Sequence, residues 1–155
     1  MLMIFTNKKN YERFNIKIDE LTIINEKTIT IGLFMLVIGT FLGGIWANES
    51  WGRYWGWDPK ETWALVSVLV YALILHMRFI PSINSRYAFN LMSLAGISSI
   101  IMTYFGVNYY LSGLHSYAAG DPMPIPVWIY YFIGIVILTA VAAMGRRLKL
   151  KKMKR

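Results

Sequence analysis

Two kinds of side chain in this sequence could bind a large ligand, namely clustered tryptophans and two histidines. Five of the six tryptophans lie close together, at Trp46, Trp51, Trp55, Trp57 and Trp63. The cations Arg53 and Lys60 fall in the same run, "WGRYWGWDPKETW". One interpretation is an interfacial belt of indole rings at headgroup depth. Because a belt needs only one or two rings at a helix end, the density also favours a platform for a large planar apolar ligand with acidic groups.

The histidines, His76 and His115, lie in different settings. His76 is about 25 Å along a helix that starts at Pro59, near its far end. An ionisable side chain inside a membrane span indicates function by default, but a histidine reaching the headgroups beside Arg78 is an alternative. His115 lies in a loop, where it is either a solvated side chain or a ligand. Imidazole is a standard axial ligand of haem iron, and haem has the shape and the propionates that suit the platform.

The segment "WDPKE" also has a simpler interpretation. Asp58 fits a helix N-cap, Pro59 the first helical position and Glu61 the third, which together resemble a capping box. This pattern predicts that the second helix starts at Pro59. It leaves open whether the two carboxylates do anything more than cap the helix.

The elements that must position these residues are membrane helices. The chain has 155 residues, of which 56% are hydrophobic and 15% charged, and a span needs about 20 apolar residues. We predict an all-α polytopic membrane protein with helices at about 28–46, 59–77, 87–107 and 127–144. The membrane domain would cover 28–145, with outward loops at 46–61 and 108–126. It would be preceded by a cytoplasmic or interfacial segment at 1–27 and followed by a basic tail at 146–155.

Charge predicts the orientation of these helices. All of the 16 lysines and arginines except Arg53 and Lys60 fall in the N-terminal segment, the loop between the second and third helices, or the tail. The positive-inside rule therefore predicts that both termini are cytoplasmic. The net charge of +8 is explained by this topology and by anionic lipid headgroups, so nucleic acid binding is not expected. No signal peptide pattern precedes the first helix, which is expected to direct insertion.

The composition also limits the chemistry. The sequence has no cysteine, which excludes internal disulfides and thiolate catalysis. No nucleophile–base pair, carboxylate–histidine metal cluster or phosphate-binding glycine loop is present. The residues by themselves therefore indicate a binding site without catalytic groups.

The run "GGIWANESWGRYWGWDPKETWALVSVLVYALILHMR" resembles the tryptophan-rich WWD signature of the haem-handling cytochrome c assembly proteins, most closely the CcsA (ResC) type of system II. The resemblance extends through "FNLMSLAGISSIIMTYFGVNYYLSGLHSYA" towards the final helix. It implies that the outward tryptophan loop holds a transiently bound b-type haem. Carried over by position, Trp46 to Trp63, with Arg53, Asp58 and Lys60, would form the platform. His115 would be the external iron ligand and His76 the transmembrane one.

The family has further histidines upstream of this signature that this chain lacks. The resemblance is therefore to the C-terminal part of an assembly protein, to be completed by a ResB/CcsB-type partner or an N-terminal half. The implied function is delivery of haem across the bacterial cytoplasmic membrane for attachment to the CxxCH motif of apocytochrome c. The chain would be part of a cytochrome c synthase and would not be active alone. Alternatives are a transporter for an aromatic or lipidic solute and a haem-retaining electron-transfer subunit.

Overall fold

The computed structural model describes residues 2–5, 10–111, 113–114 and 124–153. Every regular element in these ranges is helical. The five α-helices are α1 (Tyr11–Trp51), α2 (Pro59–His76), α3 (Arg86–Ile101), α4 (Val107–Tyr110) and α5 (Val127–Met153). A π-helical turn, Met102–Gly106, joins α3 to α4, so the two form one continuous rod. Counting this rod as one helix, four helices are long and apolar enough to cross a membrane. This confirms the predicted all-α class with four membrane helices.

Helix α1 is much longer than predicted. It runs for 41 residues, or about 60 Å, whereas the apolar run predicted a helix at 28–46. Residues 11–51 contain no proline, so nothing interrupts the hydrogen-bond ladder. Residues 11–27 are therefore the beginning of α1, and Trp46 and Trp51 lie in its last turns. Helix α5 likewise continues into the basic tail as far as Met153.

The chain divides into two compact units, residues 25–123 and residues 1–24 with 124–155. In the second of these, the 3₁₀ turn Leu2–Phe5 contacts α5. Asn10 closes that turn by donating its side-chain amide to the Phe5 carbonyl at 3.2 Å.

The larger unit is centred on α2 packed against the α3–α4 rod. Ser67, Ile74 and Val107 are fully buried. The small residues Ser93, Gly96 and Ser99 form the buried stripe of α3. At Gly96 an added Cβ would lie 2.9 Å from Ile74 Cδ1, so the absence of a side chain permits this close approach.

The part of α1 within this unit contacts its neighbours through polar groups at one end. Asn25 donates to Asn90 Oδ1 at 3.0 Å, and Glu26 forms an ion pair with Arg78. Gly32, Gly39 and Gly43 of α1 are spaced to permit close packing of a neighbouring helix. Within the described part of the chain, no atom lies within 4 Å of the position a Cβ on any of them would take.

Candidate functional site

The tryptophan segment begins on the last turns of α1. Trp46 and Trp51 pack edge to face, with ring centroids 5.0 Å apart, and Trp46 is half exposed. Gly52 then takes the left-handed conformation, with φ of 70°, which ends the helix. The chain folds back so that the Tyr54 carbonyl oxygen lies 3.2 Å from where a Cβ on Gly44 would be. The loop therefore lies against the helix from which it emerges.

A second tryptophan pair lies at the exposed end of the loop. Trp55 and Trp57 pack edge to face, with ring centroids 5.8 Å apart. Trp57 is 71% exposed and Tyr54 is 64% exposed, whereas Trp55 is partly buried. Trp57 is the only non-glycine residue in the described ranges with positive φ, at 58°. For an L-residue with a large side chain this conformation costs about 1–2 kcal/mol, so the surroundings must hold it.

The two cations of the segment differ in their surroundings. Lys60 donates from its ammonium to Asn108 Oδ1 at 3.2 Å, which links the first turn of α2 to α4. Arg53 is exposed, and its guanidinium lies directly over Gly56, where a side chain would collide with it. Arg53 is thus the more accessible of the two positive charges.

Asp58 is the last residue of the loop and is buried, with 7% exposure. It is the N-cap of α2, and with Glu61 it forms the predicted capping box, with Pro59 in the first turn. Its Oδ2 accepts from the Lys60 backbone N–H at 3.3 Å. Its Oδ1 accepts from the backbone N–H of Leu114 at 2.7 Å, fifty-six residues further along the chain. One carboxylate thus caps α2 and binds the chain that follows α4, at Leu114.

The loop approaches Asp58 closely at Gly113. A Cβ on this residue would collide with Asp58 Oδ1 and would lie 2.9 Å from Pro59 Cδ. Only glycine can therefore occupy this position without moving the loop. His115 follows Leu114 directly in the sequence and lies outside the described residues, as does most of the predicted loop at 108–126.

The π-helical turn contacts the backbone of Trp63. Thr103, within this turn, lies with its hydroxyl 3.0 Å from the Trp63 carbonyl oxygen and 2.8 Å from the Ser99 carbonyl oxygen. The same hydroxyl is 3.1 Å from Ser67 Oγ. Wide helical turns of this kind often occur at functional sites. Here the turn forms a polar link between α2 and the α3–α4 rod, at Trp63 and Ser67.

His76 is the last residue of α2 and is exposed. Its Nδ1 lies 2.7 Å from the Ala72 carbonyl oxygen. A carbonyl oxygen can only accept, so Nδ1 carries the proton, and a neutral ring then has its lone pair on Nε2. The ring centroid is 5.9 Å from that of Phe79. The backbone bond thus selects the tautomer in which Nε2 can bind a metal.

Several of these contacts were not predicted from the sequence. The roles of Asn108, Thr103 and Leu114 depend on pairings between distant elements and leave no local signal. Glu61 was identified only as a helix cap, and the capping-box spacing was the only pointer to it. The structure brings Trp55, Trp57 and Asp58 together with the start of α2 and places His76 at that helix's other end.

The fold and the site together define a multi-pass membrane protein with two pairs of tryptophans, one ring of each exposed, at the junction of two helices. The family model described as "Cytochrome C assembly protein" matches residues 1–115. This is most of the chain and includes every predicted site residue, so the chain belongs to the cytochrome c assembly protein family. Membership supports a role in cytochrome c biogenesis. Helix α5 lies outside the matched residues.

Individual relatives agree with this assignment. The protein NrfI of Wolinella succinogenes is 64% identical over 107 residues, which are 69% of this chain and 12% of that protein. The cytochrome c biogenesis protein CcsA of Prochlorococcus marinus is 46% identical over 99 residues, 64% of this chain and 31% of the relative. CcsA of the plant Ranunculus macranthus is 41% identical over 116 residues, 75% of this chain and 36% of the relative. The chain thus spans about a third or less of the length of these relatives.

Proposed function

We propose that the tryptophan segment holds haem as cargo and presents it to apocytochrome c for covalent attachment, in system II cytochrome c maturation. One arrangement carries this proposal. The pair formed by the partly buried Trp55 and the exposed Trp57 is fixed at a capped helix start whose cap residue also binds Leu114, the residue before His115. Haem requires a planar apolar surface and an axial ligand, and imidazole is a common one.

The types of residue in the tryptophan segment suit haem. Trp46, Trp51 and Trp63 would add indole surface to that of Trp55 and Trp57, and large aromatic rings bury much apolar area. Propionates need cations at the edge of such a surface. Arg53 is the better placed cation, because it is exposed whereas Lys60 already donates to Asn108.

We assign Asp58 a positioning role instead of direct haem contact. Its carboxylate is buried, and its two oxygens accept backbone N–H groups from Lys60 and Leu114. A carboxylate so engaged has little capacity left for a ligand. It holds the second loop against the platform and so fixes the stretch of chain that leads to His115.

His76 is proposed as the ligand of an uptake site at the other end of α2. The bond from Nδ1 to Ala72 leaves Nε2 available to haem iron. Helix α2 extends for 18 residues, or about 27 Å, so His76 cannot share a haem with a ligand at the platform. Two successive sites would receive haem and present it on opposite sides of the membrane.

The client supplies the reactive groups for attachment. Each cysteine thiol of the CxxCH motif adds across a haem vinyl group, so that sulfur bonds to one vinyl carbon and the thiol hydrogen is transferred to the other. The addition needs no external oxidant. This chain has no cysteine, so its own part is to bind and orient the two reactants.

The proposed orientation follows from charge. Both termini would face the cytoplasm of a bacterial cell and the platform would face outward, because almost all lysines and arginines lie outside the tryptophan and His115 loops. The chain would then accept haem at the cytoplasmic side of the inner membrane and present it where apocytochromes mature.

The site is proposed to be completed by a further polypeptide. A haem with two axial imidazoles needs two histidines on one side of the membrane, and the sequence has only His76 and His115. A ResB/CcsB-type partner or an N-terminal half would supply the others. Two observations support this proposal: the chain spans only part of its relatives, and no described atom lies within 4 Å of where a Cβ on Gly32, Gly39 or Gly43 of α1 would be.

Haem titration tests the platform. The chain is purified in lipid nanodiscs, alone and with the upstream polypeptide, and its absorption spectrum is followed as haem is added. Trp55→Phe and Trp57→Phe keep a ring but lose the larger indole face, so each should weaken haem binding by about two- to twelve-fold. Trp128→Phe is the matched control, because Trp128 is 66% exposed at the start of α5 and lies outside the segment. Equal affinity in the parent and the double variant would favour an interfacial belt.

The same titration tests His115. His115→Gly should alter the haem spectrum, and added imidazole should restore it by filling the ligand position. A spectrum that is unchanged by the substitution would reduce His115 to a loop residue.

A further inference from the structure

Glu61 makes a contact beyond what a helix cap requires. In a capping box the third helical residue accepts from the N-cap backbone N–H, and Glu61 Oε2 accepts from the Asp58 N–H at 3.2 Å. The same oxygen also accepts from the Gly56 N–H, at the shorter distance of 2.7 Å. Capping does not call for this second bond.

The two bonds flank one residue. Gly56 and Asp58 are the neighbours of Trp57, whose backbone is left-handed with φ of 58°. The Trp57 carbonyl in turn accepts from the Thr62 hydroxyl at 3.4 Å. The first turn of α2 therefore holds the peptide groups on both sides of a conformation that tryptophan rarely adopts.

This conformation determines where the indole lies. Trp57 is 71% exposed and stands edge to face with Trp55. If φ of Trp57 returned to its ordinary negative range, its Cα–Cβ bond would point elsewhere, and Trp55 and Trp57 would no longer form the same surface. Strained backbone conformations persist where surrounding contacts over-determine them, often at binding sites.

We infer that Glu61 is a positioning residue, whose carboxylate holds Trp57 in the left-handed conformation and so presents its indole to haem. This inference rests on the proposed function for its ligand, but the positioning itself concerns only residues of this chain. Glu61 would not contact haem. It would instead raise the fraction of molecules in which the platform is already formed.

Two substitutions separate positioning from simple charge. Glu61→Gln keeps the length and a carbonyl oxygen, and glutamine also serves in capping boxes. Glu61→Ala removes both bonds. Glu49→Ala is the control for loss of a nearby negative charge, because Glu49 is an exposed carboxylate in the last turn of α1, whereas Glu61 is partly buried. We expect the alanine variant to lose the Trp57 conformation, and the glutamine variant and the control to keep it.

The first measurement needs no haem. The chain is labelled with 5-fluorotryptophan, and the Trp57 resonance is assigned by its disappearance in Trp57→Phe. In ¹⁹F spectra from nanodiscs, Glu61→Ala should shift or broaden this resonance, whereas Glu61→Gln and Glu49→Ala should leave it in place. An unshifted Trp57 resonance in Glu61→Ala would overturn the inference.

The second measurement uses haem titration. Release of the conformation should reduce the binding-competent fraction, weakening haem affinity by about five- to thirty-fold in Glu61→Ala. Glycine adopts positive φ without strain, so in a Trp57→Gly background Glu61→Ala should have little further effect. Additive losses in the double variant would show that Glu61 acts elsewhere and would refute the inference.

The two measurements separate the possible failures. If the parent binds no haem even with the upstream polypeptide, the proposed function fails, and the fluorine spectra still decide whether Glu61 positions Trp57. If the resonance shifts but haem affinity is unchanged, the claim that this conformation serves haem binding is wrong.

Discussion

Substitution of Asp58 by asparagine should separate the two tasks of this side chain. Asparagine is about as good an N-cap as aspartate, so α2 should still begin at Pro59. The amide group, however, replaces one acceptor oxygen by a donor. With the remaining oxygen used by the cap, the amide nitrogen would face the Leu114 N–H, and the bond that holds the second loop would be lost.

The size of the effect follows from the kind of bond. Hydrogen bonds to a charged group contribute about 1.5–3 kcal/mol, and this one is short at 2.7 Å with an acceptor that is only 7% exposed. Leu114 is itself 48% exposed, which favours the lower end of that range because water can replace the lost partner. The population of the bound loop should therefore fall by at least about tenfold.

Amide hydrogen exchange measures this population directly. In nanodiscs, the Leu114 amide should exchange about tenfold or more faster in Asp58→Asn than in the parent, while amides in the first turn of α2 should keep their protection. Asp58→Ala should accelerate both, because it also removes the cap, worth about 0.5–2 kcal/mol. Glu49→Gln, which neutralises a carboxylate in the last turn of α1, serves as the control. Unchanged exchange at Leu114 in Asp58→Asn would refute the assignment of Asp58 as the residue that holds the loop.

Two further predictions concern the membrane. Cysteine introduced at Ser50, in the last turn of α1, should react with an impermeant thiol reagent from outside intact cells. Labelling only after membrane disruption would reverse the proposed orientation. His76→Ala should lower haem loading of the platform and be relieved by exogenous imidazole. Arg78→Ala should be milder, because it removes only an exposed ion pair with Glu26, worth about 0–1 kcal/mol. The opposite ranking at matched protein levels would indicate that His76 merely reaches the headgroups.

The helical class could be predicted because it depends on local properties. Runs of apolar residues determine which segments can cross a membrane, and the structure has four such helices. The start of α2 was also predictable, since the cap residues Asp58, Pro59 and Glu61 lie within four positions of one another. Helix ends without such signals were not. Helix α1 continues to Trp51 because residues 11–51 include neither a proline nor a left-handed residue, and the first left-handed residue after them is Gly52.

The site was predictable in composition but not in geometry. Tryptophans, cations and histidines can be counted in the sequence, and their density indicated a platform. The bond from Asp58 to Leu114 joins residues 56 positions apart, and the Lys60–Asn108 contact spans 48. Such pairings depend on how α2 packs against the α3–α4 rod. The paired residues themselves contribute little to that packing. The π-helical turn that carries Thr103 to Trp63 has no local sequence signature either.

The spacing of the capping-box residues does not by itself show whether they only cap α2 or also shape a binding surface. Asp58 and Glu61 match a common helix-start pattern, and such a pattern is explained by helix stability. In the structure each carboxylate accepts a hydrogen bond that the cap does not require, from Leu114 in the case of Asp58 and from Gly56 in the case of Glu61. Alanine substitutions would remove cap and extra partner together, so a loss of haem binding could be attributed to either. Asp58→Asn keeps the cap but loses the extra partner. The double variant Glu61→Ala, Trp57→Gly loses the cap bond to Asp58. Its glycine at position 57 no longer needs the bond from Gly56 to Glu61 to stay left-handed. These changes distinguish a helix start that merely folds from one that also shapes a binding surface.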